Sequence, residues 1–176
     1  MLSISLFDNI LLESLKRRDR MLEIDIPGFG MVRLECLVSD FTGTLSVDGR
    51  LSPGVRELLT RIARFLEVHI LTADTFGKAK AELKGIQCEI HILTGKDHDI
   101  QKEEYVIRLG ADHVVAFGNG KNDRKMLKIA RIGIAVSQGE GCAVDALLAA
   151  DIHVTSAQDG LGLLLSTKRC KATLRF

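Results

Sequence analysis

Leu37-Val38-Ser39-Asp40-Phe41-Thr42-Gly43-Thr44-Leu45 is an apolar run that closes on an acid and then turns through a glycine with a hydroxyl on either side. The pattern puts a carboxylate at the C-terminal end of a buried strand. In an open parallel sheet that edge is where ligands bind, in the crevice beyond the strand ends, so Asp40 is a candidate for chemistry. An ordinary turn aspartate looks the same over so short a motif. The decision rests on what else the chain brings to that edge.

Upstream, residues 21–26 alternate apolar and polar, Pro27-Gly28-Phe29-Gly30 is turn chemistry, and residues 31–38 are again rich in apolar side chains. Together they predict a β-hairpin leading into the strand of Asp40. Downstream, Asp48-Gly49 predicts a turn and a small flap over residues 46–52. Ser52-Pro53 reads as a helix start, Ser52 as N-cap and Pro53 at the first position, with Val55, Leu58, Leu59, Ile62 and Phe65 as its apolar face. The remainder alternates strands over 68–71, 88–93, 114–117, 132–136 and 152–154 with helices over 76–83, 100–109, 123–130, 143–149 and a last one near Leu161. Such alternation implies right-handed crossovers and an α/β fold, a mostly parallel sheet with helices on both faces. No repeat, low-complexity tract or linker interrupts it, so residues 21–176 read as one domain and residues 1–20 as an extension.

A chain of 176 residues is long enough to fill one core. With 46% apolar and 27% charged residues it reads as a soluble globular protein. A net charge of +1 gives no basis for capturing nucleic acid or an anionic membrane, and Lys16-Arg17-Arg18 and Lys168-Arg169 read as solvated helix ends. Cys36, Cys88, Cys142 and Cys170 lie far apart with no C-x-x-C pair, which points to reduced thiols in a cytoplasm rather than to a zinc site or a disulfide framework. Residues 1–15 lack an early positive charge and are interrupted by Asp8 and Asn9, so they make a poor signal peptide. No apolar run approaches the roughly twenty residues that span a bilayer. Leu6, Phe7, Ile10, Leu11 and Leu15 recur at helical spacing, either as an amphipathic helix docked on the body or on a second subunit, or as part of a loose tail.

Other strand ends carry suitable groups. Thr72-Ala73-Asp74 follows the run His69-Ile70-Leu71, and Gly118-Asn119-Gly120-Lys121-Asn122-Asp123 opens a helix after residues 114–117. Asn and Asp oxygens are the hard ligands magnesium prefers, and Lys96 and Lys102 near a helix start offer a cation. Singly, each has a plainer role: Thr72 and Asp123 as caps, Lys102 as a solvated charge. Jointly they place an acid, a hydroxyl, a lysine and an Asn/Asp loop on one sheet edge, a set that phosphoryl transfer can use.

The series Asp40-Phe41-Thr42-Gly43-Thr44, Leu71-Thr72-Ala73-Asp74, Lys102 and residues 118–127 (GNGKNDRKML) resembles the four motifs of the haloacid dehalogenase (HAD) superfamily. The Thr-Gly-Thr after the acid is similar to the phosphorylation motif of P-type ATPases. Residues 24–30 (IDIPGFG), 72–77 (TADTFG) and 172–175 (ATLR) resemble the small soluble P-type ATPase-like members of prokaryotes. The resemblance covers residues 21–176 and implies a HAD-like, Rossmann-type fold with no large cap, acting as a magnesium-dependent phosphohydrolase on a phosphorylated small molecule or macromolecule. It implies that Asp40 is the nucleophile, carrying an aspartyl phosphate, with Thr72 and Lys102 as catalytic partners. It further implies phosphate binding by Thr42, Gly43, Thr44, Thr72, Ala73, Lys102 and Asn122, and magnesium held by Asp40, the Thr42 carbonyl, Asn119 and Asp123. Phosphoryl transfer needs in-line positioning and compensation of charge on the phosphoryl oxygens, which such a set supplies.

Three features depart from the family pattern. Thr42 stands where most HAD phosphatases have a second Asp as general acid, as it does in P-type ATPases, so slow turnover of poor leaving groups is expected. Asn119 replaces an acidic magnesium ligand, which predicts weaker metal affinity. Residues 45–102 leave no room for a nucleotide-binding domain, so ion pumping is not expected, and the site should be open, suiting a macromolecular substrate or an oligomer whose neighbouring subunit covers the mouth. The competing expectation is a regulatory phospho-acceptor or binding module on a degenerate scaffold.

Overall fold

In the computed structural model, which describes residues 20–74 and 77–176, β1 (Leu22–Ile26) and β2 (Gly30–Leu34) pair antiparallel from Leu22↔Leu34 to Ile26↔Gly30. Alternation buries Ile24, Ile26, Val32 and Leu34 and leaves Glu23, Asp25 and Arg33 in water. The hairpin leads into β3 (Cys36–Asp40), every residue of which is buried. After it comes the anticipated flap, a two-stranded ribbon of β4 (Ser46–Val47) and β5 (Arg50–Leu51).

The rest alternates. In order come α1 (Val55–Ile62), β6 (Glu67–Thr72), α2 (Ala79–Glu82), β7 (Glu89–Ile92), α3 (His98–Leu109) and β8 (Val114–Gly118). They are followed by α4 (Arg124–Ile129), β9 (Ile132–Val136), α5 (Val144–Ala149), β10 (Ile152–Val154), α6 (Ala157–Leu165) and α7 (Thr167–Leu174). Six strands form one parallel sheet in the order β10-β9-β8-β3-β6-β7. The chain builds outward from β3 through β6 to β7, then crosses back to β8 on the other side of β3. That reversal opens a crevice at the C-terminal ends of β3 and β8.

Strand alternation divides the apolar residues between two layers. Leu37, Ile70, Phe117 and Ile134 pack with the hairpin, α1, α2 and α6 on one face. Val38, Leu71 and Ala116 pack with Tyr105 and Val106 of α3, Met126 and Leu127 of α4 and Ala146 of α5 on the other. Among the described residues no helix is long and apolar enough to cross a membrane.

Several boundaries differ from expectation, for local reasons. The first helix starts at Val55 rather than Pro53, because Gly54 adopts φ +76° and the Ser52 hydroxyl donates to Gln138 Oε1 at 3.4 Å instead of capping. Of the helix expected over 76–83, Phe76 lies outside the described residues and the described part is helical over Ala79–Glu82: the Asp74 carboxylate takes the N–H groups of Lys78 (2.9 Å) and Ala79 (3.0 Å) ahead of it. Residues 121–123 form a 3₁₀ turn ahead of α4. Helix α7 was not anticipated; it packs beside β1, and Phe176 N–H donates to Pro27 O at 3.2 Å, tying the chain's end to the hairpin turn. The amphipathic pattern of Leu6 to Leu15 lies outside the described residues.

Candidate active site

Asp40 ends β3, only 6% exposed, and its Oδ1 accepts from Lys102 Nζ at 2.7 Å. Lys102 comes from α3, where Lys102, Tyr105 and Val106 form the buried face at three- and four-residue spacing. Its ammonium is wholly buried and donates a second bond, 2.6 Å long, to Asp123 Oδ1. Asp123 in turn accepts the N–H groups of Asn119 (2.9 Å) and Gly120 (2.8 Å) on Oδ2, which closes the loop after β8 around its own carboxylate. Three motifs distant in sequence thus meet through one lysine.

The turn after Asp40 folds back on itself: Leu45 and Ser46 N–H and the Ser46 hydroxyl all donate to Phe41 O at 2.9–3.0 Å. This returns the buried Thr44 to the acid. Its hydroxyl lies 3.3 Å from Asp40 Oδ2 and 2.9 Å from Asn119 Oδ1. One O–H donates one strong bond, so it goes to the nearer amide oxygen and Asp40 Oδ2 keeps a long, weak contact. Asn119 is oriented by its Nδ2, which donates to Gly141 O at 3.1 Å. Two glycines make the approach feasible. A Cβ at Gly43 (φ +81°) would sit 2.4 Å from Asn119 Nδ2, and one at Gly118 would sit 2.4 Å from Asp123 Cβ.

Burial dominates the electrostatics. Desolvation pushes the Asp40 carboxyl up to about 6, with the charge of Asp123 adding to the rise and Lys102 opposing it. Burial also works against the Lys102 charge, yet Asp123 and Asp40 outweigh it and hold the ammonium above its usual range.

Of the other expected residues, Thr72 ends β6, buried and one residue beyond Leu71, the sheet partner of Asp40, and its Oγ1 accepts from Asp74 N–H at 2.9 Å. Thr42 is half-buried in the turn. Ala73 is exposed at the strand end, and Asn122 lines a neighbouring cleft with Lys96, Asp97 and Arg124 rather than bonding the Asp40 cluster. A magnesium site fits an all-oxygen set: Asp40 Oδ2 and Asn119 Oδ1 converge on one hydroxyl, whereas both oxygens of Asp123 are already committed to Lys102 and to the loop backbone.

Sequence reasoning passed over Gln138. In the loop after β9 its Nε2 donates to Thr44 O (2.9 Å) and Ser46 O (3.3 Å), bracing the turn that follows Asp40. The signal was there, since Ser137-Gln138-Gly139 is one more polar loop at a strand's C-terminal end.

A family model for haloacid dehalogenase-like hydrolases matches residues 65–163. An uncharacterized protein of Methanocaldococcus jannaschii is 45% identical over 62 residues, covering 35% of this chain and 67% of that one. A probable copper-exporting P-type ATPase of Archaeoglobus fulgidus is 32% identical over 105 residues, 58% of this chain but 13% of the transporter's length. Among solved structures, the 3-deoxy-D-manno-octulosonate 8-phosphate phosphatase of Moraxella catarrhalis, in complex with magnesium, phosphate and the sugar acid, aligns with TM-score 0.57 and 19% identity over 81% of this chain and 94% of that one. The cobalt-bound phosphatase of the same name from Haemophilus influenzae aligns with TM-score 0.60 and 13% identity, over 81% and 94%. A zinc-transporting PIB-type ATPase aligns with TM-score 0.55 and 26% identity over 70% of this chain and 20% of that one.

Proposed function

Because this chain belongs to the haloacid dehalogenase-like hydrolases, we propose that it is a magnesium-dependent phosphatase working through an aspartyl phosphate on Asp40. The observation that carries the reading is the buried Lys102 bridge, which joins the carboxylate at the end of β3 to the loop after β8. A lysine so placed orients Asp40 and offsets the charge that gathers when a phosphoryl dianion arrives.

The Asp40 carboxylate attacks phosphorus as the bond to the leaving oxygen breaks, and the phosphoryl group passes to Asp40. Thr72 donates its hydroxyl proton to a phosphoryl oxygen, while Asp123 fixes the Lys102 ammonium against the site. Water then attacks phosphorus, returning phosphate and the free carboxylate. Asp40, the Thr42 carbonyl and Asn119 are the groups we assign to magnesium, which supplies charge compensation on the phosphoryl oxygens. We assign Asp123 to positioning Lys102. With Thr42 where an acid would protonate the leaving group, departure relies on the leaving group's own stability, so aryl and acyl phosphates should react best. A ribbon as small as β4–β5 leaves the site open, which favours a macromolecular phosphate or a neighbouring copy as the cover.

Thr42 also supports a second reading, a regulatory phospho-acceptor whose aspartyl phosphate persists. Hydrolysis of an aryl phosphate with and without magnesium, in the native protein and in Asp40→Asn, tests both. Activity that needs the metal and Asp40 is expected. No turnover, with acetyl phosphate still labelling Asp40, favours the acceptor. Activity that survives Asp40→Asn overturns both.

A further inference from the structure

At the opposite edge of the sheet from Asp40, the register of β3 and β6 assembles a second cluster. Cys36 pairs with Glu67 and Val38 with His69, and alternation puts Cys36, Glu67 and His69 on the sheet face that carries α3. Each offers one ligand atom, and the three atoms lie within 4.8 Å of one another. Cys36 and His69 are each 5% exposed, while the Glu67 side chain is 41% exposed and able to adjust.

His69 is held as a metal-binding imidazole is held. Its Nδ1 lies 3.1 Å from the Tyr105 hydroxyl, which holds the ring, and 3.3 Å from a carboxylate oxygen of Glu89, which accepts only and so favours the proton on Nδ1. That leaves the lone pair on Nε2. Among the described residues Nε2 is buried without a hydrogen bond, 3.8 Å from Glu67 Oε2. A buried ring nitrogen without a partner is unusual and calls for a water, an ion or a ligand. This one points into the cluster.

We propose that Cys36, Glu67 and His69 form a binding site for a zinc-class divalent ion, separate from the magnesium site at Asp40. A thiolate, an imidazole and a carboxylate make a mixed S/N/O set typical of zinc and unsuited to magnesium, which selects oxygen ligands. The three atoms already lie within 4.8 Å of one another, and the half-buried Glu67 side chain has room to move toward the other two. The Cys36 thiol releases its proton to solvent as the metal–sulfur bond forms. A fourth position opens toward a cleft of about 350 Å³ that Glu67, His69, Cys88 and Glu89 line, where water completes the shell. The site clips β3 to β6, the two strands that present Asp40 and Thr72 about 13 Å away at 3.3 Å per residue.

Cobalt(II) titration of the full chain, stripped with chelator and kept reduced, tests this. One cobalt per chain should bind with a thiolate-to-metal charge-transfer band in the near ultraviolet, zinc should displace it, and magnesium should not. Cys36→Ser should abolish the band, and Asp40→Asn should leave it intact. Glu67→Gln and His69→Gln should each weaken zinc by more than the about 10–100-fold that loss of an outer-shell partner costs. Should Cys36→Ser not fold, Glu67→Gln decides, since it is an isosteric change to a half-buried side chain. Absence of the band, its persistence in Cys36→Ser, unchanged zinc affinity in Glu67→Gln, or its loss in Asp40→Asn overturns the proposal.

Discussion

Replacing Asp40 by Asn should stabilise the metal-free protein, by an amount that grows with pH. Burial raises the folded-state pKa of Asp40 from 3.8 to about 6. A group whose folded pKa is raised contributes stability that is present below its unfolded pKa and is lost as pH climbs through the folded one. Here that window runs from 3.8 to about 6. Each pKa unit is worth about 1.36 kcal/mol, so ionising the native carboxyl in place costs about 3 kcal/mol once the pH passes 7. At pH 5 about half of that has accrued. Asparagine keeps the shape and never ionises, so it escapes the cost. Urea denaturation with a chelator present should therefore place Asp40→Asn above the native protein by about 3 kcal/mol at pH 8 and by about half of that at pH 5. Adding magnesium should close the gap, because binding to the folded native site stabilises it by mass action. A variant that is equally stable at pH 8, or that gains more at pH 5 than at pH 8, would refute the assignment of a desolvated, ionised Asp40.

Lys102→Met leaves Asp40 and Asp123 facing each other without a cation, and breaking such a buried pair should cost about 3–5 kcal/mol at pH 8 in denaturant melts. The loss should shrink toward pH 5 as Asp40 takes up a proton. Thr42→Asp restores a general acid and should speed alkyl phosphate hydrolysis by about 10²- to 10⁴-fold; an equal gain on aryl phosphates would show that the new carboxyl acts otherwise. Asn119→Asp adds a charged oxygen beside Asp40 and should tighten magnesium in calorimetric titration, and an unchanged affinity would remove Asn119 from the ligand set. Gly43→Ala forces a left-handed backbone on a residue with a Cβ aimed at Asn119 Nδ2. It should lose about 1–3 kcal/mol of stability and weaken magnesium in the same titration.

The strand ends were legible because short, nearly continuous apolar runs mark strands buried on both faces, and Asp40 and Thr72 are the polar residues on which two such runs close. Lys102 was legible as one of two candidate cations near a helix start, and the resemblance chose it over Lys96. Taken alone it reads as a solvated lysine, although its spacing to Tyr105 and Val106 places it on the buried face of α3. Asp123 reads as a cap by position and as a metal ligand by resemblance, and a sequence carries no sign that its Oδ1 accepts from a lysine 21 residues back. The helix start at 52–53 and the helical reading of residues 77–78 failed because the competing side-chain bonds, Ser52 to Gln138 and Asp74 to Lys78 and Ala79, depend on tertiary placement or on loop geometry. The Cys36, Glu67 and His69 cluster has no spacing motif. Ligands that meet across parallel strands are set by register, so counting cysteines argued against a metal there.

On the proposed aspartyl-phosphate chemistry, the departures at Thr42 and Asn119 push in one direction. Two carboxylates, Asp40 and Asp123, and one ammonium, Lys102, leave one negative charge among these three buried side chains; an aspartate at position 119 would make it two. With a neutral amide there, the site holds a divalent cation less firmly. Once filled, though, it presents more net positive charge to a phosphoryl dianion, which steadies the phosphorylated Asp40 relative to free phosphate. Missing the acid at position 42 slows entry for poor leaving groups and does nothing to hasten exit. Both changes lengthen the life of the aspartyl phosphate relative to the step that makes it from a good donor. On that proposal, hydrolysis and phosphate storage on Asp40 become two regimes of the same site, selected by how good the donor's leaving group is and how readily water reaches phosphorus past the small β4–β5 flap.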